Sequence, residues 1–125
     1  MKVYRTEVTE TSRPVTVKEK INLKDTTSAI RLDQATLTDG RVMIDFDMWA
    51  ILTVHNEASE DKEYNQYVIL DKTGNKYVTG SNNFWQSFME IYEEMKDEEE
   101  NWGVVAYRVP SKKYQGKDFL TCAII

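Results

Sequence analysis

The 125-residue chain carries 16 Lys plus Arg against 21 Asp plus Glu, a formal net charge of -5, with 41% hydrophobic and 30% charged residues. That length and balance predict one folded domain with its own core and exclude a disordered chain. No apolar run reaches the roughly 18 residues that cross a bilayer; the opening residues lack a signal-peptide core and Cys122 stands alone, so the expected location is a reducing cytoplasm.

In chain order, Val15, Val17, Ile21 and Leu23 alternate with polar residues and predict a strand over 14–24. Residues 26–38 read as a strand or a short helix, and Thr38-Asp39-Gly40 as a turn. The strongest strand signal follows over 41–55. Its even positions, Val42, Ile44, Phe46, Met48, Ala50, Leu52 and Val54, are all apolar, whereas Arg41, Met43, Asp45, Asp47, Trp49, Ile51, Thr53 and His55 are mixed. Residues 64–71 and 76–79 flank Lys72-Thr73-Gly74-Asn75, which predicts a hairpin.

The period then changes. Phe84, Trp85, Phe88, Ile91, Tyr92 and Met95 recur at threes and fours, predicting a helix over 82–97 with N-cap chemistry at Ser81, Asn82 or Asn83. Trp85 and Phe88 lie in this stripe and are expected in the core. Residues 104–109 and 119–125 form a closing hairpin around the loop 110–118. The order from residue 41 is therefore strand, strand, strand, helix, strand, strand. A five-stranded OB barrel has that order. The expected fold is mostly β, an OB-like barrel with one α-helix, in a single domain spanning 1–125. Residues 41–125 are its core and 1–40 an N-terminal extension.

The local sequence carries a resemblance as well. Tyr77-Val78-Thr79-Gly80-Ser81 leads into Phe84-Trp85-Gln86-Ser87-Phe88, and Pro110-Ser111-Lys112-Lys113-Tyr114-Gln115-Gly116-Lys117-Asp118-Phe119-Leu120-Thr121-Cys122 follows. This pattern resembles small single-stranded-DNA-binding proteins encoded by phages and conjugative elements of Gram-positive bacteria, over roughly residues 41–125. The resemblance implies an OB fold, a nucleic-acid ligand and oligomerisation. Housekeeping bacterial members end in an acidic, partner-recruiting tail. This chain ends Ala123-Ile124-Ile125, so recruitment by such a tail is not carried over.

The total charge misleads about partners, because residues 93–100 hold six acids and one base and so account for the whole -5. After residue 100, Arg108, Lys112, Lys113 and Lys117 stand against Asp118 alone. Single strands are bound by cations that follow phosphates and by aromatic faces that stack bases. Arg108, Lys112, Lys113 and Lys117 with Tyr107 and Tyr114 supply both. Trp49, Tyr67 and Tyr77 would extend the stacking surface, unless they pack under residues 1–40 or in a subunit contact.

Catalysis is not expected. Asp45 and Asp47 share a strand face, but no companion lysine or histidine completes a nuclease site. His55 is the only histidine, which excludes a multi-histidine metal centre. Cys122 sits in an apolar run and reads as a small buried hydrophobe, and no phosphate-binding glycine loop is present. The expectation is a sequence-nonspecific single-stranded-DNA-binding protein without cofactor or metal. It would act in replication, recombination or transfer of a phage or mobile element, as a homo-oligomer. The alternative is an interaction or inhibitor protein that binds a host enzyme through the acidic 93–100 segment.

Overall fold

The computed structural model describes residues 4–56, 63–113 and 116–125. Strand dominates, and three helices occur among the described residues. The order is β1 (Tyr4–Thr11), α1 (Val17–Lys24), β2 (Ile30–Arg31), α2 (Leu32–Asp39), β3 (Arg41–Asn56), β4 (Glu63–Asp71), β5 (Lys76–Thr79), α3 (Asn82–Met95), β6 (Gly103–Pro110) and β7 (Asp118–Ile124). The chain divides into two compact units, residues up to 30 with 47–80, and residues 31–46 with 81–125.

In the first unit, β1 pairs antiparallel with the later half of β3, from Tyr4 opposite Asn56 to Thr11 opposite Ala50. A bulge between Val8 and Glu10 interrupts the register. On the other side of β3 lies β4, which pairs with β5 from Tyr67 opposite Thr79 to Leu70 opposite Lys76. The even-numbered face of β3 behaves as its alternation predicts. Met48, Ala50 and Leu52 form one buried cluster with Val68, Val78 and Leu23.

Residues 14–24 do not form the predicted strand. They form α1, because Thr16 and Glu19 make a capping box: the Thr16 side chain accepts from Glu19 N, and the Glu19 carboxylate accepts from Thr16 N. The apparent alternation was a coincidence of composition: of the helix's apolar residues only Leu23 is buried, and Val17 and Ile21 are exposed. Lys76 closes the far end of the helix from inside, its ammonium donating to the carbonyls of Asn22 and Asp25. Burial lowers the Lys76 ammonium from its ordinary range, and Asp25 partly offsets this.

The β4–β5 hairpin is held by one carboxylate. Asp71 accepts from the backbone N–H groups of Thr73 and Asn75, the Thr73 hydroxyl and the Asn75 amide. Burial pushes the Asp71 carboxyl up, but the hydrogen bonds from Asn75 and Thr73 together outweigh it and hold it below its ordinary value. Gly74 turns the chain at φ 93°, a conformation that residues with a Cβ rarely adopt.

In the second unit, the first part of β3 pairs with β6, from Arg41 opposite Tyr107 to Asp45 opposite Gly103, and β6 pairs with β7 from Val104 opposite Ile124 to Pro110 opposite Asp118. The helix α3 starts at the Ser81 cap, whose hydroxyl accepts from Phe84 N. It lies along β7, where the Ser87 and Thr121 hydroxyls meet at 2.9 Å. Phe84, Trp85 and Phe88 are buried as the apolar stripe predicts. Phe46 joins them, its ring 5.7 Å from Phe88 and 4.6 Å from Trp102. Such packing is worth up to about 1.5 kcal/mol per aromatic pair beyond the area buried.

The ambiguous stretch 26–38 resolves into the two-residue β2 and the helix α2. Together with α1 these replace the single expected helix with three among the described residues. α2 has no side-chain cap at its start, and eight residues are too few to be stable alone. It is held by tertiary contacts: Leu32 and Thr36 are buried, and Arg108 of β6 reaches across to it.

Candidate nucleic-acid interface

The closing hairpin lies wholly in the second unit, and Lys112, Lys113 and Lys117 lie in its loop. Pro110 ends β6, and Ser111 N donates to Lys117 O at 2.8 Å, which closes the loop. Lys112, Lys113 and Lys117 are exposed around this closure, followed by the half-exposed Phe119. Beside them Arg108, Pro110, Ser111, Gly116, Lys117 and Asp118 line an open concavity of about 530 Å³. Tyr114 lies outside the described residues.

The acid in this concavity is already engaged, since Asp118 accepts from Arg108 at 3.0 Å. Within the hairpin tip the positive groups therefore outweigh the negative one, so the local potential suits an anion although the chain as a whole is acidic.

The other sequence candidates sit elsewhere or serve other ends. Arg108 is structural. Its guanidinium donates to the Thr36 hydroxyl at 3.1 Å and to Asp33 O at 2.7 Å, and its side chain is only 19% exposed. A guanidinium with its donors spent on α2 and Asp118 has little left for a phosphate.

Tyr107 is half-buried, with the Arg41 guanidinium 6.0 Å from its ring centroid. One of its faces is thus already stacked against a cation.

Trp49, Tyr67 and Tyr77 correct the stacking surface predicted from the sequence. Their exposures are 4%, 7% and 6%, so no ring is open to a base. At Trp49 the backbone is also engaged: Ser12 N donates to Trp49 O and the Ser12 hydroxyl accepts from Trp49 N. Tyr77 points its hydroxyl at Asp71, 3.4 Å away. Burial, and then the Asp71 charge, push that phenol above its usual value.

The remaining reactive groups are held quietly. Cys122 is buried in β7, and desolvation pushes its thiol up to about 12, where the nucleophilic thiolate is absent at neutral pH. His55 lies between two carboxylates, 3.1 Å from Glu63 and 3.7 Å from Glu7. Asp47 faces Arg13 at 3.7 Å rather than forming a site with Asp45. Among the described residues no group of three or more His, Cys, Asp and Glu side chains is arranged to hold a metal ion.

The acidic segment straddles the end of α3. Glu93 and Glu94 are on the helix, Glu93 paired with Lys96 at 2.8 Å, whereas residues 97–100 lie beyond it. Glu93 and Glu94 therefore sit against the negative end of the helix dipole, where the Lys96 ammonium offsets part of their charge.

Sequence reasoning missed Arg41 and Phe119. Phe119 directly follows the loop, whereas the proximity of Arg41 to Tyr107 emerges only from the register of β3 and β6. Comparison with protein-family models, with curated proteins and with solved structures gave no match.

Proposed function

We propose that this chain binds single-stranded DNA without sequence preference through the tip of its closing hairpin. The observation that carries the reading is the set of three exposed lysines, Lys112, Lys113 and Lys117, on one loop between the last two strands. In an OB barrel the loop joining the last two strands is a usual oligonucleotide contact. The strand neighbours support an OB-like architecture. In one unit they run β5-β4-β3 and in the other β3-β6-β7, with α3 between β5 and β6 in the sequence. An open OB barrel orders its five strands in this way, whereas this sheet also carries β2 on β5 and β1 on β3. The role would be in replication, recombination or transfer of a phage or mobile element, as the sequence resemblance suggests.

The lysines neutralise phosphates and release counterions, while Phe119 supplies ring surface for bases. Three lysines give a salt dependence of about -2 in the slope of log K against log salt for a single strand. The test is fluorescence anisotropy of a labelled oligo-dT titrated with the protein at several salt concentrations. A label on the DNA is needed because Trp49 and Trp85 are buried and would report weakly. Lys112→Glu combined with Lys113→Glu should abolish binding. Absence of binding by the wild type at low salt would overturn the proposal.

In that event the alternative leads, an interaction or inhibitor protein that binds a host enzyme through the acidic 93–100 segment, whose Glu93 and Glu94 lie on α3. Gln86, Met89, Glu90, Glu93 and Glu94 of that helix line an open concavity of about 790 Å³ with acidic walls.

A further inference from the structure

The helix α1 belongs to the first unit and is fixed at both ends. A capping box holds its start, and the Lys76 ammonium donates to the carbonyls of Asn22 and Asp25 at its end. Its side toward the core is carried by one residue, Leu23, which is 1% exposed. The opposite side departs from what folding alone requires. Val17 is 74% exposed and Ile21 62%, and four positions apart on a helix they stand side by side. A surface position chosen only for the fold takes a polar helix former, so folding does not account for this aliphatic pair.

Cations surround the pair. At about 100° per residue, Lys20 and Lys24 fall on one flank of Val17 and Ile21, and Lys18 on the other. All three lysines are exposed, and none has an ion-pair or hydrogen-bond partner among the described residues. The two acids of the stretch are engaged elsewhere: Glu19 accepts from Thr16 and Arg13, and Asp25 accepts from Thr27. Glu10 of β1 lines a concavity with Lys20 and lowers the charge there, but the face stays positive.

This combination selects among anionic partners. The bases of a single strand need ring faces on which to stack, and this side of α1 has none. A partner protein needs a pocket for its apolar anchor, whereas exposures this high describe side chains that project. A lipid bilayer yields around a projecting side chain, takes aliphatic groups beneath its headgroups and holds lysines at its phosphates.

We propose that this face of α1 is a contact for an anionic bilayer surface, with Val17 and Ile21 entering below the headgroups and Lys18, Lys20 and Lys24 among them. The contact is peripheral and reversible, because two aliphatics on an eight-residue helix bury far less than an anchoring chain. Charge supplies the rest. Each lysine near an anionic surface strengthens binding about fivefold, so the three together account for roughly a hundredfold.

The test uses vesicles and no nucleic acid, so its outcome is independent of DNA binding. Sucrose-loaded vesicles of phosphatidylcholine and phosphatidylglycerol should carry the protein into the pellet at low salt. Vesicles of phosphatidylcholine alone should bind about a hundredfold more weakly. Val17→Ser with Ile21→Ser should weaken binding to the anionic vesicles about tenfold or more. That variant should melt as the wild type does, because neither side chain is part of the core. Lys18→Gln with Lys20→Gln and Lys24→Gln should lower binding to the level seen without the anionic lipid. A wild type that stays in the supernatant at low salt would overturn the proposal, and its retention on polyglutamate would then make an acidic protein the partner. Vesicle binding that survives these substitutions, or that is lost in Lys112→Glu with Lys113→Glu, would overturn it as well.

Discussion

Arg108 gives the sharpest separation between a residue that builds the hairpin and residues that use it. Its guanidinium makes two part-buried hydrogen bonds to α2, at 3.1 Å to Thr36 and 2.7 Å to Asp33 O. It also makes an ion pair with Asp118, whose side chain is 46% exposed. Hydrogen bonds involving a charged group contribute about 1.5–3 kcal/mol each before the costs of burying the ion. The exposed pair adds no more than about 1 kcal/mol. Replacing Arg108 by Met keeps most of the packing of the stem while leaving the Thr36 hydroxyl and Asp33 O without this partner. A loss of about 2–4 kcal/mol is expected, since the two bonds share one desolvation cost. For a domain of this size that lowers the melting temperature by roughly 8–15 °C. The assay pairs thermal unfolding with oligo-dT anisotropy below the melting point of the variant. Arg108→Met should be destabilised and still bind, whereas the Lys112→Glu, Lys113→Glu variant should melt as the wild type does and not bind. An Arg108→Met protein of unchanged stability that loses binding would refute this reasoning and return Arg108 to the phosphate-contacting set.

Three further outcomes follow from the same kind of accounting. Asp71→Ala removes the acceptor around which the β4–β5 turn is built and should cost about 2–4 kcal/mol in urea unfolding at pH 7. Because the folded Asp71 carboxyl lies below its unfolded value, its contribution is present above about pH 4 and is lost as pH falls through the folded value. The stability curves of wild type and Asp71→Asn should therefore converge on acidification, and a gap that widens instead would contradict the assignment. Thr16→Ala removes the capping hydroxyl of α1 and should cost about 1 kcal/mol, read as a shift in the urea midpoint at unchanged slope. Cys122 should resist a thiol reagent in the native protein at pH 8 and react at once in denaturant; fast native labelling would show that the β7 strand opens.

The parts of the fold legible in the sequence are those where one periodicity dominates a long stretch. β3 is sixteen residues of alternation, and α3 is a broad apolar stripe behind a serine cap, so both elements fall close to the expected bounds. The N-terminal region failed for opposite reasons in its two halves. Around α1 the four apolar residues Val15, Val17, Ile21 and Leu23 fall on odd positions, whereas the spacing of Thr16 and Glu19, three apart, is the stronger signal. In α2 no local signal existed: the N-cap is Arg31, without a capping bond, and the fixing contact comes from Arg108, 72 positions beyond Thr36. The same limit explains the misplaced stacking residues. Trp49 lies on the mixed side of β3, and its burial is set by tertiary packing that the alternation of one strand does not encode.

What the sequence could place without the register was charge; what it could not place was the company each charge keeps. Four cations follow residue 100, and they looked equivalent. In the folded chain Arg108 is turned inward against α2, while Lys112, Lys113 and Lys117 are left at the hairpin tip. A fifth cation, Arg41, stands at the head of a strand, and cross-strand pairing sets it over Tyr107. The division follows from side-chain chemistry. A guanidinium satisfies several fixed acceptors at once and suits the junction of β6 with α2. A lysine keeps its hydration and its freedom, and suits a loop that must follow a flexible phosphate chain. Exchanging Lys for Arg at the tip should therefore leave binding nearly intact, whereas Lys in place of Arg108 should release α2.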